Sequence, residues 1–394
     1  MSEAAIEEDK LTPVLVGVGT AAEMLPLGHT LTHAGPPIAW TEMNIPQQQA
    51  LVTALTVEGA VSRAEYRELA ATPAGHRGPG LAAMLVQYVD RGRWRVQSNW
   101  EAGLVAPLTG VVSPSMAVWV VSDRISGDVS FAPINEGTGP SLRFGSLDLG
   151  VIDRQHWLSN EFAAELSGVL ARSPVALWDL ATHGLNRGDE LHMRSSAASA
   201  ALFASVRTGL RPGGRGGRTC QFLERNPMTF LNVAMAMAAL YLARWRSAGD
   251  PGVVVAAAAN GREFGVQVAE RPGRWLTVPA PRPQDHALKG DPLPVMGDSF
   301  VLEVLGVGGR IPHAAPALWS TAAPVPERAV PPVAVRRGAG PFGSALALGV
   351  RRADLGAVAC HTAAMSSAGA VLGVARCRLP SALSDLQQGM SWAR

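Results

Sequence analysis

Apolar and polar positions change their period along the chain. Val14-Leu15-Val16-Gly17-Val18 is a short apolar run broken by glycine, which predicts a buried strand. Pro36-Pro37 cannot lie together inside a helix, so the chain turns there. From Gln47 to Glu58, Leu51, Ala54 and Leu55 recur at helical spacing among good helix formers, which predicts a helix ending near Gly59. Thr72 to Gly80 is a loop punctuated by proline and glycine. Trp94–Gln97 and Ala117–Val121 predict strands, separated by Ser113-Pro114-Ser115. Val129 to Ile134 predicts another, which Pro133 confines to an edge. It runs into the turn formers Asn135-Glu136-Gly137-Thr138-Gly139-Pro140.

From about Val151 to Leu210 the pattern is helical: Phe162, Leu166, Val169 and Leu170 share one face, and Ala198, Leu202, Val206 and Leu210 another. Arg211 to Arg218 is glycine-rich and predicts a flexible linker. A helix is expected from about Met228 to Arg246. Beyond it, Val253-Val254-Val255 and Phe264 to Val268 flank Asn260-Gly261, a strong hairpin signal, and Trp275 to Val278 predicts a third strand. Thr321 to Pro332 is a proline-punctuated loop. The expected fold is α/β (α+β): a flexible tail over 1–12, an α/β domain over 13–150, a mainly helical subdomain over 151–246 and a second α/β domain over 247–394.

Composition narrows the function classes. Of 394 residues 47% are apolar and 17% charged, enough to build cores and too apolar for a disordered chain. The 34 basic and 32 acidic residues leave a net charge of +2, without the clustered basic excess of a nucleic-acid binder. The longest apolar stretch, Phe230 to Trp245, is interrupted by Asn232 and Arg244 and falls short of a membrane span. The N-terminus MSEAAIEEDK has no apolar run and does not read as a secretory signal. Three cysteines, Cys220, Cys360 and Cys377, give neither a disulfide framework nor zinc-type spacing and suit a reducing compartment, so a cytoplasmic protein is expected.

Candidate chemistry is dispersed. Gly17-Val18-Gly19-Thr20-Ala21-Ala22 has a dinucleotide-binding shape, but Pro26 and Gly28 leave barely two turns of helix for a pyrophosphate, so no cofactor is expected. Asn135-Glu136-Gly137 through Arg143-Phe144-Gly145 places an amide, an acid and an arginine around a glycine turn. Arg143 could grip a carboxylate or phosphate, or the loop could hold a structural ion pair. Glu190, His192 and Arg194 form a dense ionisable cluster, with Glu190 and Arg194 four apart on one face if the segment is helical. Asn232 interrupts an apolar run and needs partners if buried. Asp298 and Glu303 could bind a cation, act in acid–base work, or cap a helix.

Taken in order, several motifs resemble the YlbE/AllG family, tied to bacterial oxamate carbamoyltransferase. They are Leu15 to Gly19, His33 to Trp40, Glu58-Gly59, Gly110 to Met116, Asn135-Glu136-Gly137 with Leu142 to Gly145, and Gly188-Asp189-Glu190 with His192 and Arg194. Phe230-Leu231-Asn232, Asn260-Gly261 with Phe264-Gly265, and Gly297-Asp298-Ser299 with Glu303 complete the series. The likeness runs from about residue 13 to 320, with a weaker tail around His361.

The resemblance implies a partner, an FdrA-like subunit, and in some cases a third subunit, in an oligomeric complex of allantoin catabolism. It implies phosphorolysis of oxalurate, a small anion, to oxamate and carbamoyl phosphate. That chemistry needs anion-binding donors and stabilisation of a tetrahedral carbamoyl centre. By residue type Arg143, Arg194, Asn232 and Asn260 are donors, Glu190 and His192 carry protons, and Asn135, Glu136, Asp298 and Glu303 complete the substrate-binding set. No metal is expected. The chain departs from the family pattern at Ser98 to Gly103, Ala106-Pro107, Met193, Ser195, Ala239, Ala259 and Thr362, where polar or charged groups or the Gly-Pro motif would stand. Two readings stay open: a carbamoyl- or acyl-transferring subunit, or a non-catalytic scaffold or regulatory subunit of such a complex.

Overall fold

The period-2 alternation of the first strands sets up two layers of core around one sheet. The computed structural model describes residues 12–210, 213–283, 288, 290–318, 330–336, 338–340 and 343–385. β1 (Pro13–Thr20) leads into α1 (Ala21–Met24), then β2 (Thr30–His33). α1 is four residues long and is capped at Leu25, ahead of Pro26 and Gly28. Helices α2 (Ile45–Val57), α3 (Arg63–Ala71) and α4 (Gly78–Leu85) cross over to β3 (Arg95–Ser98), which pairs parallel with β2. α2 starts two residues before the predicted Gln47, because Asn44 caps it: Asn44 Oδ1 accepts from Gln47 N at 3.1 Å, and Asn44 N donates to Gln47 Oε1 at 3.0 Å.

β4 (Ala117–Asp123) and β5 (Val129–Pro133) complete an antiparallel sheet with β1 and the two-residue β6 (Val175–Ala176), in the order β5-β4-β1-β6. Proline-terminated β5 takes the expected edge. Along β4, Ala117, Trp119 and Val121 point to one core, and Val118 and Val120 to the other. The second core is filled by α2 and by Val151 and Ile152 of α5 (Leu149–Trp157). The first receives α6 (Ala163–Arg172), α7 (Leu177–Leu185), α8 (Ser196–Arg207) and α10 (Thr229–Ala248), and extends to Leu383. α10 is buried on nearly all sides and ends at Gly249, in the left-handed conformation typical of a helix stop.

The predicted linker is a correction. α9 (Gly214–Glu224) begins inside the glycine-rich stretch, because Phe222 and Leu223 downstream are drawn into the core and propagate the helix back over the glycines. Residues 211–212 of that stretch lie outside the described residues, as do 1–11 of the expected tail and 321–329 of the proline-rich loop.

β7 (Val254–Asn260) and β8 (Glu263–Val268) form the hairpin that Asn260-Gly261 predicts, with Gly261 at φ +81°. β9 (Leu276–Pro279) and the short β10 (Met296–Gly297) flank it in the order β10-β7-β8-β9. α11 (Val301–Leu305) packs behind this sheet against α10. Two further hairpins follow, β11 (Ala334–Arg336) with β12 (Leu346–Leu348) and β13 (Ala359–Met365) with β14 (Val371–Arg378). A final turn, α12 (Ala382–Asp385), completes a mixed α/β fold. No single helix among the described residues is long and apolar enough to cross a membrane.

Candidate functional site

Two glutamate–histidine pairs, drawn from segments far apart in sequence, meet inside the protein. His192 Nδ1 lies 2.7 Å from Glu303 Oε1, and His361 Nδ1 lies 3.1 Å from Glu190 Oε2. All four residues are buried. An ionised carboxylate only accepts, so Nδ1 of each ring carries the proton, and Nε2 of His192 is left for a ligand. Burial works to lower the His192 pKa, but Glu303 in contact and Glu190 nearby outweigh it and hold the imidazole above its ordinary value. Glu303 is fixed in turn. Its Oε1 also accepts from His361 N at 3.1 Å and Gly309 N at 3.3 Å.

Glu190 organises the turn that presents His192. Its Oε1 accepts from the backbone N–H groups of His192 (3.1 Å), Arg194 (2.7 Å) and Met193. This corrects the helical reading of the segment. Gly188 to Arg194 is a tight turn between α7 and α8, wound around the Glu190 carboxylate, and buried Leu191 within it holds φ +71°. A left-handed leucine costs free energy that surrounding structure must offset, and such residues gather at functional sites. Arg194 therefore does not share a helix face with Glu190. It turns outward, its Nε 3.7 Å from Asp189 Oδ1.

His192 lines a cavity of about 260 Å³. Arg143, Asn135, Ser299 and Thr362 supply its other polar wall, and Leu108, Phe144, Met193, Met228 and Leu231 much of its apolar wall. Leu108 is the second non-glycine residue at positive φ, +55°. Arg143 stands on the loop predicted from its glycines. Glu136 ties that loop together, accepting from Leu142 N at 2.6 Å, Gln155 Nε2 at 2.9 Å and Arg143 N at 3.1 Å. The guanidinium donates to Gly137 O through Nη2 and stacks on Phe144, with Cζ 4.4 Å from the ring centroid. Its Nη1 is buried and has no hydrogen-bond partner among the described residues; the Glu136 Oε1 atom is 3.8 Å away. A buried guanidinium with a spare donor on a cavity wall suits a carboxylate or phosphate oxygen.

The remaining predicted residues divide by position. Asn135 and Asn232 satisfy each other, with Asn135 Nδ2 donating to Asn232 Oδ1 at 3.2 Å while Asn232 Nδ2 holds Pro133 O at 2.7 Å. Asn232 borders a small void of about 20 Å³ behind Arg143, space for one water. Asn260 closes its hairpin by accepting from Arg262 N and Glu263 N, and donates to Pro36 O. Asp298 is fully buried and neither caps α11 nor meets the cavity. Its carboxylate accepts from Gly35 N, Trp100 Nε1, Asn99 Nδ2 and Ala106 N. Thus Asn135, Arg143 and His192 line the cavity, Glu136, Glu190 and Glu303 hold its walls, and Arg194, Asn260 and Asp298 lie elsewhere.

His361, Ser299 and Thr362 enter the site without having been singled out as site residues. His361 pairs across 171 positions with Glu190, a distance no local pattern encodes. No group of three or more His, Cys, Asp or Glu that could hold a metal ion occurs among the described residues.

Gly308 tests the orientation of the pair. It holds φ +64°, and an added Cβ would lie 2.4 Å from Glu303 Oε1 and 3.2 Å from His192 Cβ. Gly308→Ala is expected to displace Glu303 and lower the His192 pKa, read by NMR titration of the imidazole. An unchanged titration would show that Glu303 does not set the His192 charge.

Four matches to known proteins bear on identity and fold. The sequence profile of the family described as "Oxamate carbamoyltransferase subunit AllG" matches residues 95–299. The chain is 31% identical over 301 residues to oxamate carbamoyltransferase subunit AllG of Escherichia coli (strain K12), covering 73% of this chain and 67% of that one. It is 27% identical over 347 residues to the uncharacterized protein YahG of the same strain, covering 81% of this chain and 66% of that one, so each alignment spans about two thirds of the relative. A crystal structure of a conserved protein of unknown function from Enterococcus faecalis V583 shares the fold, with a TM-score of 0.80 over 95% of this chain and 93% of that one at 22% identity. With its motifs in family order and the profile covering its centre, the chain belongs to the AllG family, as a divergent member.

Proposed function

We propose that this chain is a subunit of an oxamate carbamoyltransferase-like complex, acts with an FdrA-like partner, and contributes the cavity between Arg143 and His192 to carbamoyl transfer between a ureido acid and phosphate. The observation that carries the reading is the convergence on one cavity of an unsatisfied arginine donor and a histidine whose far nitrogen is oriented by a buried glutamate. With oxalurate, His192 Nε2 takes the proton of hydrogen phosphate as its oxygen attacks the ureido carbonyl. The carbon–nitrogen bond to the oxamate nitrogen then breaks, and the same proton returns to that nitrogen, giving oxamate and carbamoyl phosphate. Glu303 stabilises the transient imidazolium, and Arg143 neutralises anionic oxygen. No metal or cofactor is part of this proposal.

The test is an omission assay. The chain and its FdrA-like partner are purified together, supplied with oxalurate and phosphate, and carbamoyl phosphate is followed with each protein left out. Product only with both supports the subunit reading. No product from an intact co-eluting complex overturns it and favours the scaffold reading. Arg143→Ala is expected to raise the KM for the anionic substrate about 10–100-fold, the scale of one charge-assisted hydrogen bond. An unchanged KM would remove Arg143 from the site.

A further inference from the structure

β13 and β14 are more than a wall for the cavity. Thr362 and Ala363 on β13 and Val371 on β14 line it, and His361 N on β13 holds Glu303. The residue before His361 is Cys360, and its direct partner across the hairpin is Cys377. The two Sγ atoms lie 2.7 Å apart, both as free thiols. Leu379 N donates to Val358 O two rungs away, so the alternation of the antiparallel ladder puts Cys360 and Cys377 on a hydrogen-bonded rung. Residues on such a rung have Cα atoms about 5.5 Å apart, within the roughly 4.4–6.8 Å a disulfide spans. The two sulfurs already meet across directly paired positions, so the bond joins side chains that the hairpin has brought together.

We propose that Cys360 and Cys377 are a reversible disulfide site on the cavity wall, oxidised by a small-molecule disulfide. The burial difference sets the order of events. Cys377 is partly exposed and Cys360 buried, and burial together with Cys377 pushes the Cys360 thiol up. Cys377 loses its proton to solvent, and its thiolate attacks one sulfur of the reagent, releasing the first small thiol. Cys360, deprotonated next, attacks the Cys377 sulfur of the mixed disulfide and releases the second. Two protein thiols and one reagent disulfide become one protein disulfide and two small thiols. The bond ties β13 to β14 beside His361 and fastens the strand that supplies Thr362 to the cavity.

The experiment exposes the full chain to glutathione disulfide, then alkylates it under denaturing conditions and maps the peptides by mass spectrometry. The expected result is loss of two of the three thiols, a peptide holding Cys360 linked to one holding Cys377, and Cys220 still alkylated. Dithiothreitol restores all three, and the oxidised form has the higher Tm. In Cys360→Ser the reaction stops at a mixed disulfide on Cys377. A wild-type chain that accumulates the mixed disulfide without the cross-link, reacts first at Cys220, or keeps Cys360 and Cys377 both alkylatable overturns the proposal. The wild-type map decides alone, so a variant that fails to fold does not shield it.

Discussion

His192→Asn is expected to lower the carbamoyl transfer proposed for the complex by about 10²–10⁴-fold, the usual contribution of a positioned acid–base group, with the chain still folded. Asparagine carries its amide nitrogen near the place of imidazole Nδ1. It can therefore keep the 2.7 Å bond to Glu303 and avoid stranding a buried carboxylate, while the Nε2 that would carry the proton is gone. A comparable Tm with activity lost would locate the effect in the proton carrier. Activity within a few-fold of wild type would remove His192 from the reaction. Glu303→Gln separates charge from shape. Glu303 raises the His192 pKa, so the neutral amide should lower it, and the acidic limb of the pH–rate profile, where the base becomes protonated, should move to lower pH. An acidic limb that stays in place would assign it to another group.

Much of this architecture was legible in the sequence, because its signals are local. The hairpin at Asn260-Gly261 and the edge strand ending at Pro133 each rest on turn chemistry within a few residues, and α2 on the helical spacing of Leu51, Ala54 and Leu55. Arg143 was legible because the glycines around it advertise a loop that approaches other backbone closely: an added Cβ at Gly145 would meet Pro46 O at 2.1 Å. The pairing of His192 with Glu303 was not legible, since 111 residues separate them. The turn at Glu190 misled for a different reason. Its residue spacing is compatible with a helix, and only the tertiary environment reveals that the carboxylate gathers three successive N–H groups and bends the chain through a left-handed leucine. Asp298 looked like chemistry because acids between glycines often are. Four donors from three separate segments make it a structural joint instead.

That joint carries the largest expected effect on stability. Asp298→Asn should destabilise the chain by about 2–6 kcal/mol, the cost of leaving two buried N–H donors without an acceptor, read by urea denaturation at pH 7.5. Both carboxylate oxygens accept two N–H donors each, from Gly35 and Trp100 on one and Asn99 and Ala106 on the other. Either orientation of the asparagine amide therefore turns an NH₂ group against two donors, and no flip relieves it. The pH dependence gives an independent check. Burial pushes the Asp298 carboxyl up to about 6 from 3.8, against the pull of its four donors. Between those values the folded chain holds a proton that the unfolded chain has lost, so this group makes stability fall as pH rises across the window, by about 1.4 kcal/mol per pH unit. Buried His33 has the opposite sign. Burial brings its pKa down to about 4 from 6.5, so its contribution is lost as pH falls through that range. His192 is raised, so its own window begins at 6.5 and lies above both. Over pH 4 to 6 the Asp298 and His33 slopes nearly cancel in the wild type. Asp298→Asn uncovers the histidine, and the stability of the variant should fall more steeply than that of the wild type on acidification from pH 6.5 to 4. A variant with wild-type stability at pH 7.5 would show that the network at Asp298 does not hold these three segments together.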